Sequence, residues 1–212
     1  MLDPLARRLL DPWLDRIGQT AGRTFSANQV TLFGALVGLA ALPAIAADEL
    51  TLALLLIAAN RLCDGLDGAI ARHSGPTELG GYLDAICDFL FYAAVPVGFA
   101  FRETAHAPFA ALLLFGFMAT ATTFLAYAAI AARRDIRSDA RGRGKAFFYL
   151  GGLTEGTETI ALFALCCLFP AAFPWLASGF AAMCFVTAAT RAYTAWQTLT
   201  ADAHGPEHDA QP

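Results

Sequence analysis

Two short stretches decide how this chain folds: Asp64-Gly65-Leu66-Asp67-Gly68-Ala69-Ile70-Ala71-Arg72 and, seven residues on, Gly80-Gly81-Tyr82-Leu83-Asp84-Ala85-Ile86-Cys87-Asp88. Both are embedded in apolar sequence, where a charged side chain inside a bilayer costs about 3 kcal/mol or more and so demands a partner or a function. Asp64 and Asp67 stand i,i+3 and Asp84 and Asp88 stand i,i+4, so each pair shares one face of its own helix. His73-Ser74-Gly75-Pro76 marks a turn between them, and an antiparallel hairpin folded about Pro76 puts Asp64 and Asp88 each twelve residues from the centre. Asp67 and Asp84 lie nine and eight residues away, so all four carboxylates are expected at one depth, about 10 to 15 Å from the helix ends. Carboxylates crowded together at low dielectric repel, so they must be protonated or bind cations. Hard divalent cations suit an all-oxygen donor set.

Working outward, the rest of the chain supplies a membrane around this hairpin. Of 212 residues, 57% are hydrophobic and only 15% charged, too apolar for an ordinary soluble domain. Six stretches approach the roughly 20 apolar residues of a spanning helix: 29–47, 50–72, 79–101, 107–132, 147–169 and 174–199. Basic residues gather at span ends that share one side (Arg7, Arg8, Arg16, Arg23, Arg72, Arg133, Arg134, Arg137, Arg141, Arg143 and Lys145), whereas Arg102 lies alone on the other. The positive-inside rule then predicts both termini and the 133–146 loop in the cytoplasm. Before the first span, Leu5, Leu9, Leu10, Trp13, Leu14 and Ile17 recur at helical spacing among charges, which predicts a helix lying on the membrane surface with a bend at Asp11-Pro12. The predicted organisation is therefore a juxtamembrane segment (1–28), a six-helix membrane domain (29–199) and a polar tail (200–212), all-α throughout. No internal repeat is visible, and the first 28 residues lack the continuous apolar run of a cleavable leader. Cys63, Cys87, Cys166, Cys167 and Cys184 all sit in apolar runs and are expected as buried thiols. Membrane lipids are the expected surroundings, and no nucleic-acid partner is expected.

The quoted residues resemble the signature of the CDP-alcohol phosphatidyltransferase family: Asp, two residues, Asp-Gly, two residues, Ala-Arg, seven or eight residues, Gly, three residues, Asp, three residues, Asp. Every fixed position is matched between residues 64 and 88. Ser26-Ala27-Asn28-Gln29-Val30-Thr31 is also similar to the family's segment before the first span, with Ala27 where proline is usual. The resemblance implies an enzyme that moves a phosphatidyl-type group from a CDP-linked lipid donor to an alcohol acceptor and releases CMP. It further implies that Asp64, Asp67 and Asp84 hold two divalent ions, Mg²⁺ or Mn²⁺, and that Asp88 completes the site and acts as general base. Gly68 and Arg72 are implied to contact the cytidine diphosphate part, with Gly80 expected beside them in the substrate site, where a glycine also permits close helix approach, and the protein is implied to be a homodimer in a bacterial inner membrane. The physical chemistry agrees. Glycine lets a ligand approach the backbone, arginine offers a planar fork for phosphate, and two divalent ions suit a pyrophosphate leaving group.

Further charges lie at matching depths. Glu155 and Glu158 share a face of the fifth span, Glu155 matches Arg191 in depth and Glu158 matches Arg61. Two interhelical ion pairs, Glu155 with Arg191 and Glu158 with Arg61, are one expectation; an acceptor pocket lined by Glu155, Glu158 and Arg191 is the other. Six intramembrane acids less two arginines leave four negative charges, which two divalent ions would cancel. Arg133, Arg134 and Lys145 could receive an acceptor phosphate or simply set orientation beside anionic lipid. A metal-ion or small-solute transporter would also use carboxylates at mid-depth, but it leaves the glycine and Ala-Arg positions unexplained.

Overall fold

A capping box opens the bundle: the Ser26 hydroxyl accepts from the Gln29 amide and the Gln29 side chain accepts from the Ser26 amide, starting helix α1 (Ala27–Leu39). The computed structural model describes residues 13–133 and 154–201. Proline at 43 has no amide hydrogen and crowds the carbonyl four residues before it, and the helix is interrupted at Ala40 before resuming as α2 (Ala41–Ala46). A tight connection follows, with Asp48 in the left-handed region (φ 64°) and its carboxylate 2.6 Å from Nε of Arg102. Helix α3 (Leu50–Ser74) carries the first aspartate pair and ends at Gly75, whose φ of 93° favours glycine and is followed by Pro76. Thr77 then caps α4 (Glu78–Arg102), its hydroxyl accepting from the Gly80 amide at 3.0 Å. A short 3₁₀ turn (Thr104–His106) leads into α5 (Ala107–Arg133). Beyond residue 153 come α6 (Gly156–Leu168), a second 3₁₀ turn (Pro170–Ala172) and α7 (Phe173–Ala201).

Among the described residues the fold is wholly helical, and four stretches are long and apolar enough to cross a membrane: Ala27–Ala46, Glu78–Arg102, Thr104–Arg133 and Pro170–Thr200. Helix α3 is as long as α4 but carries Arg61, Asp64, Asp67 and Arg72, which lower its hydropathy. Helix α6 has 13 residues, shorter than the 147–169 stretch expected from sequence; residues 147–153 lie outside the described part. Large apolar side chains such as Phe33, Leu36, Leu55, Phe101, Phe115, Met118 and Trp175 face outward, the inverse of a water-soluble surface and what a lipid solvent selects.

Small residues decide how the helices meet, since lipid provides little hydrophobic drive and close van der Waals packing takes its place. Helix α1 lies on α3 and on α4, and α2 on α4, whereas α3 and α4 are not closely packed on each other. The two aspartate helices therefore splay, with α1 and α2 as the wedge that fixes their separation. A Cβ at Gly34 would stand 2.7 Å from Cβ of Cys63, and one at Gly38 would stand 2.7 Å from both Asn60 Nδ2 and Phe91 Cδ2, so glycine is what permits this approach. Ile45, Ile57, Phe91, Val95, Phe99, Leu113, Phe163 and Phe173 form the core along the other half of α4, beyond its aspartates. Helix α5 packs mainly on α7, and α6 on α3. Cys166, Cys167 and Cys184 are buried and Cys63 and Cys87 partly so, all as free thiols.

Candidate active site

Helical spacing on α3 and α4 carries the acidic side chains to the gap between the two helices. One carboxylate oxygen each from Asp64, Asp84 and Asp88 lie within 4.8 Å of one another. Asp84 is exposed and the other two half-buried, so the cluster is open on one side. Three convergent carboxylates from two helices fit a hard divalent cation in both donor chemistry and access. Asp67 departs from the expected four-way convergence: it is 7% exposed, sits beside Thr31 of α1 and the Gly68 amide, and feels the charges of Asp64 and Asp84 without its oxygens joining their group. Thr31 of α1 covers the side of α3 on which Asp67 lies, one turn beyond Asp64.

Arg61, one turn before Asp64, also enters the cluster. Its Nη2 donates to Asp88 Oδ1 at 2.7 Å and its Nη1 lies 3.6 Å from Asp64 Oδ2. Asn60 fixes the guanidinium, its Oδ1 accepting from Nε at 2.9 Å and Nη2 at 2.7 Å, while its own amide donates to the Gly34 carbonyl at 2.8 Å. The guanidinium carbon also lies 4.9 Å and 5.7 Å from the ring centroids of Phe91 and Tyr92. The expected pair between Arg61 and Glu158 is therefore not formed. An aspartate at i+3 on the same helix and another across the gap are nearer partners than a carboxylate on α6. The i,i+3 spacing of Arg61 and Asp64 was visible in the sequence and is the signal that depth matching overrode.

A family model for CDP-alcohol phosphatidyltransferases matches residues 24–196. The chain belongs to this family. It is 49% identical over 171 residues to the inner membrane protein YnjF of Escherichia coli (strain K12), covering 80% of this chain and 82% of that protein. It is 38% identical over 96 residues to the archaetidylinositol phosphate synthase of Methanothermobacter thermautotrophicus, a match that covers 45% of this chain and 46% of that protein. The fold is similar to that of Mycobacterium tuberculosis phosphatidylinositol phosphate synthase with CDP-DAG bound, at a TM-score of 0.63 and 24% identity over 86% of this chain and 93% of that one. The same enzyme in complex with manganese and citrate gives a TM-score of 0.64 at 25% identity, over 86% and 88% of the two chains. As a member of this family the chain is a transferase of phospholipid synthesis and a multi-pass integral membrane protein.

In this CDP-alcohol phosphatidyltransferase, the other residues singled out from sequence lie on α3 to α7 or outside the described residues. Gly68 faces open space, a Cβ there meeting only Arg72 Nη1 at 3.5 Å, whereas a Cβ at Gly80 would meet Thr77 Oγ1 at 3.0 Å and Asn28 Oδ1 at 3.2 Å. Arg72 is held by Asp15, whose Oδ1 accepts from its Nη2 at 2.8 Å and Nε at 3.2 Å, a contact the sequence reading missed. Asp15 belongs to a helical segment, 13–21, that lies along the motif helix: Leu14 against Gly65, Gly18 against Ala69, Gly22 against Ile70. Trp13 and Ile17 of this segment are exposed, in keeping with an amphipathic helix at a membrane surface. Glu155 occupies the N-cap position of α6, Glu158 lies in its first turn, and the Glu155 charge acts on Arg191. Arg191 also donates from Nη1 to the Thr120 carbonyl at 3.4 Å and lies 5.7 Å from the Phe124 ring centroid. Arg133 is exposed at the end of α5. Arg134, Lys145, most of the basic loop, residues 1–12 and the tail beyond 201 lie outside the described residues.

Proposed function

We propose that this protein transfers a phosphatidyl group from CDP-diacylglycerol, or a closely related CDP-linked lipid, to an alcohol acceptor with release of CMP. The observation that carries the proposal is the meeting of Asp64, Asp84 and Asp88 across a gap open on one side. Its support from relatives is that the mycobacterial neighbour has been seen with CDP-DAG and with manganese. Asp64, Asp67, Asp84 and Asp88 would hold two divalent ions, Mg²⁺ or Mn²⁺, which when bound supply charge neutralisation of the pyrophosphate and of the departing CMP. Asp88 accepts the proton of the acceptor hydroxyl. The alcohol oxygen then bonds to the phosphorus that bears the diacylglycerol, the bond from that phosphorus to the bridging oxygen breaks, and CMP leaves with the electron pair. Gly68 leaves room for the nucleotide beside the backbone, Arg72 meets a donor phosphate, and Gly80 keeps the start of α4 close to Asn28 of α1. Arg133, Arg134, Lys145, Glu155, Glu158 and Arg191 are candidates for the acceptor side.

In this reading six spans cross a bacterial inner membrane, with both termini and the site on the cytoplasmic side and the copies paired as a homodimer. The juxtamembrane segment (1–28), membrane domain (29–199) and tail (200–212) keep the boundaries drawn from sequence. CMP release from CDP-diacylglycerol by purified protein with Mg²⁺ or Mn²⁺, against a panel of alcohols that includes inositol phosphate, glycerol phosphate and serine, tests the proposal. Metal-dependent release with one acceptor, lost in Asp88→Asn, is the expected result. Folded protein that binds Mn²⁺ yet releases no CMP with any acceptor would refute it and turn attention to ion transport.

A further inference from the structure

The carboxylate centre contains a cation of its own. Arg61 has a largely buried side chain, and all three of its nitrogens are committed: Nε and Nη2 to Asn60 Oδ1, Nη2 also to Asp88 Oδ1, and Nη1 toward Asp64 Oδ2. Phe91 and Tyr92, the residues that begin the next turn of α4 after Asp88, present rings to the guanidinium. The assembly is anchored in turn to α1 through Asn60 and the Gly34 carbonyl at 2.8 Å. A counter-charge that merely offset four aspartates would need neither a side-chain amide to orient its plane nor two rings beside it. A planar guanidinium held at its Nε edge has one direction left for Nη2, and that direction is Asp88.

We infer that Arg61 is a positioning residue for Asp88: it fixes one carboxylate oxygen, Oδ1, so that Oδ2 is the oxygen that takes the acceptor's proton, and its fixed positive charge weakens the grip of the aspartates on divalent ions. The inference rests on the phosphatidyl-transfer proposal for its kinetic part and on the carboxylate cluster alone for its metal-binding part. A centre with a resident cation holds divalent ions less tightly than four bare aspartates would. This favours turnover, since charge built up around the donor pyrophosphate has to be released with CMP.

Two variants separate position from charge, with Mn²⁺ binding followed by electron paramagnetic resonance on detergent-purified protein and CMP release as the second readout. Arg61→Gln removes both, so Mn²⁺ should bind on the order of tenfold more tightly. Its kcat should fall about a hundredfold, the cost of a misplaced reacting group, with the KM of donor and acceptor little changed. Arg61→Lys keeps the charge but cannot span Asn60 and Asp88 together. Its Mn²⁺ affinity should stay near wild type while kcat falls by about tenfold. Unchanged kcat in Arg61→Lys overturns the positioning role, as does a rise in acceptor KM alone, which would make Arg61 an acceptor contact. Unchanged or weakened Mn²⁺ binding in Arg61→Gln overturns the electrostatic part; should that variant not fold, the lysine variant still decides the positioning role. If wild-type protein releases no CMP the functional proposal falls, while the Mn²⁺ titrations still judge the charge of Arg61.

Discussion

Gly38 is where one added methyl group should reach the active site from a distance. A Cβ there would stand 2.7 Å from Asn60 Nδ2, 2.7 Å from Phe91 Cδ2 and 2.9 Å from Asn60 Cγ, while ordinary contacts fall near 3.5 to 4.0 Å, about 1 Å farther. Neither neighbour can yield freely. Asn60 is buried and bonded to the Gly34 carbonyl at 2.8 Å, and Phe91 is fully buried against Phe163 with ring centroids 5.8 Å apart. Overpacking of this kind costs about 1 to 3 kcal/mol, and a disturbed buried hydrogen bond adds about 1 kcal/mol. Both displaced groups also hold Arg61, so a shift of about 1 Å passes to Asp88, where such a misplacement can cost up to about a hundredfold in rate. Gly38→Ala should therefore lower the thermal midpoint in detergent by several degrees and lower kcat for CMP release at temperatures where it is still folded. Gly179→Ala is the control: a Cβ at Gly179 meets nothing within 4 Å, so kcat should be unchanged and the midpoint held or slightly raised, alanine being the better helix former. Wild-type kcat and midpoint in Gly38→Ala would refute the claim that Asn60 and Phe91 transmit packing to the aspartates.

Other perturbations probe the remaining joints. Asp15→Asn removes the carboxylate that holds Arg72 at 2.8 Å; a pair this exposed is worth at most about 1 kcal/mol, so stability should hardly change while the donor KM shifts by a few-fold with kcat retained, as read from CMP release against donor concentration. Gly18→Val places branched carbon where a Cβ already comes within 2.8 Å of Ala69 Cβ and 3.2 Å of the Ala69 backbone. It should detach the 13–21 segment from α3, seen as faster proteolysis near residue 20. For Glu155 and Arg191, reversing either charge alone should depress membrane expression and reversing both should restore it; failure of the double variant to recover would assign Glu155 to a substrate pocket instead.

Much of this architecture was legible because membrane physics leaves few choices. Apolar length set where α1 with α2, α4, α5 and α7 run, within a residue or two of the observed bounds. Gly75-Pro76 fixed the turn between the aspartate helices, and the i,i+4 spacing of Asp84 and Asp88, with Asp64 as far from the turn as Asp88, accounts for the three carboxylates that meet. The N-terminal segment was legible as amphipathic but not as a companion of α3. Its docking depends on Gly18, Gly22 and Gly65, and glycine in a sequence announces permission for close approach without naming what approaches. For the same reason Asp15 could not be paired with Arg72 from sequence alone, since they are 57 residues apart on elements whose contact is set only in three dimensions.

The misassignment of Arg61 exposes the limit more sharply. Counting residues from a helix end yields depth, a single coordinate, and depth alone makes Glu158 and Arg61 equivalent candidates for a pair. Which carboxylate an arginine meets depends as well on the direction its helix face points and on which helices adjoin it. The i,i+3 relation to Asp64 supplies the direction: Arg61 lies on the same face as the first motif aspartate. Across the gap from that face the sequence offers Asp88 at the same depth, since Asp64 and Asp88 are equidistant from Pro76. A guanidinium on that face cannot avoid the metal-type cluster. When intramembrane charges are paired from sequence, then, helical phase relative to an identified cluster should take precedence over matched depth. By that rule Arg61 belongs to the site, whereas Glu155, whose charge acts on Arg191, shares no helix with the aspartates.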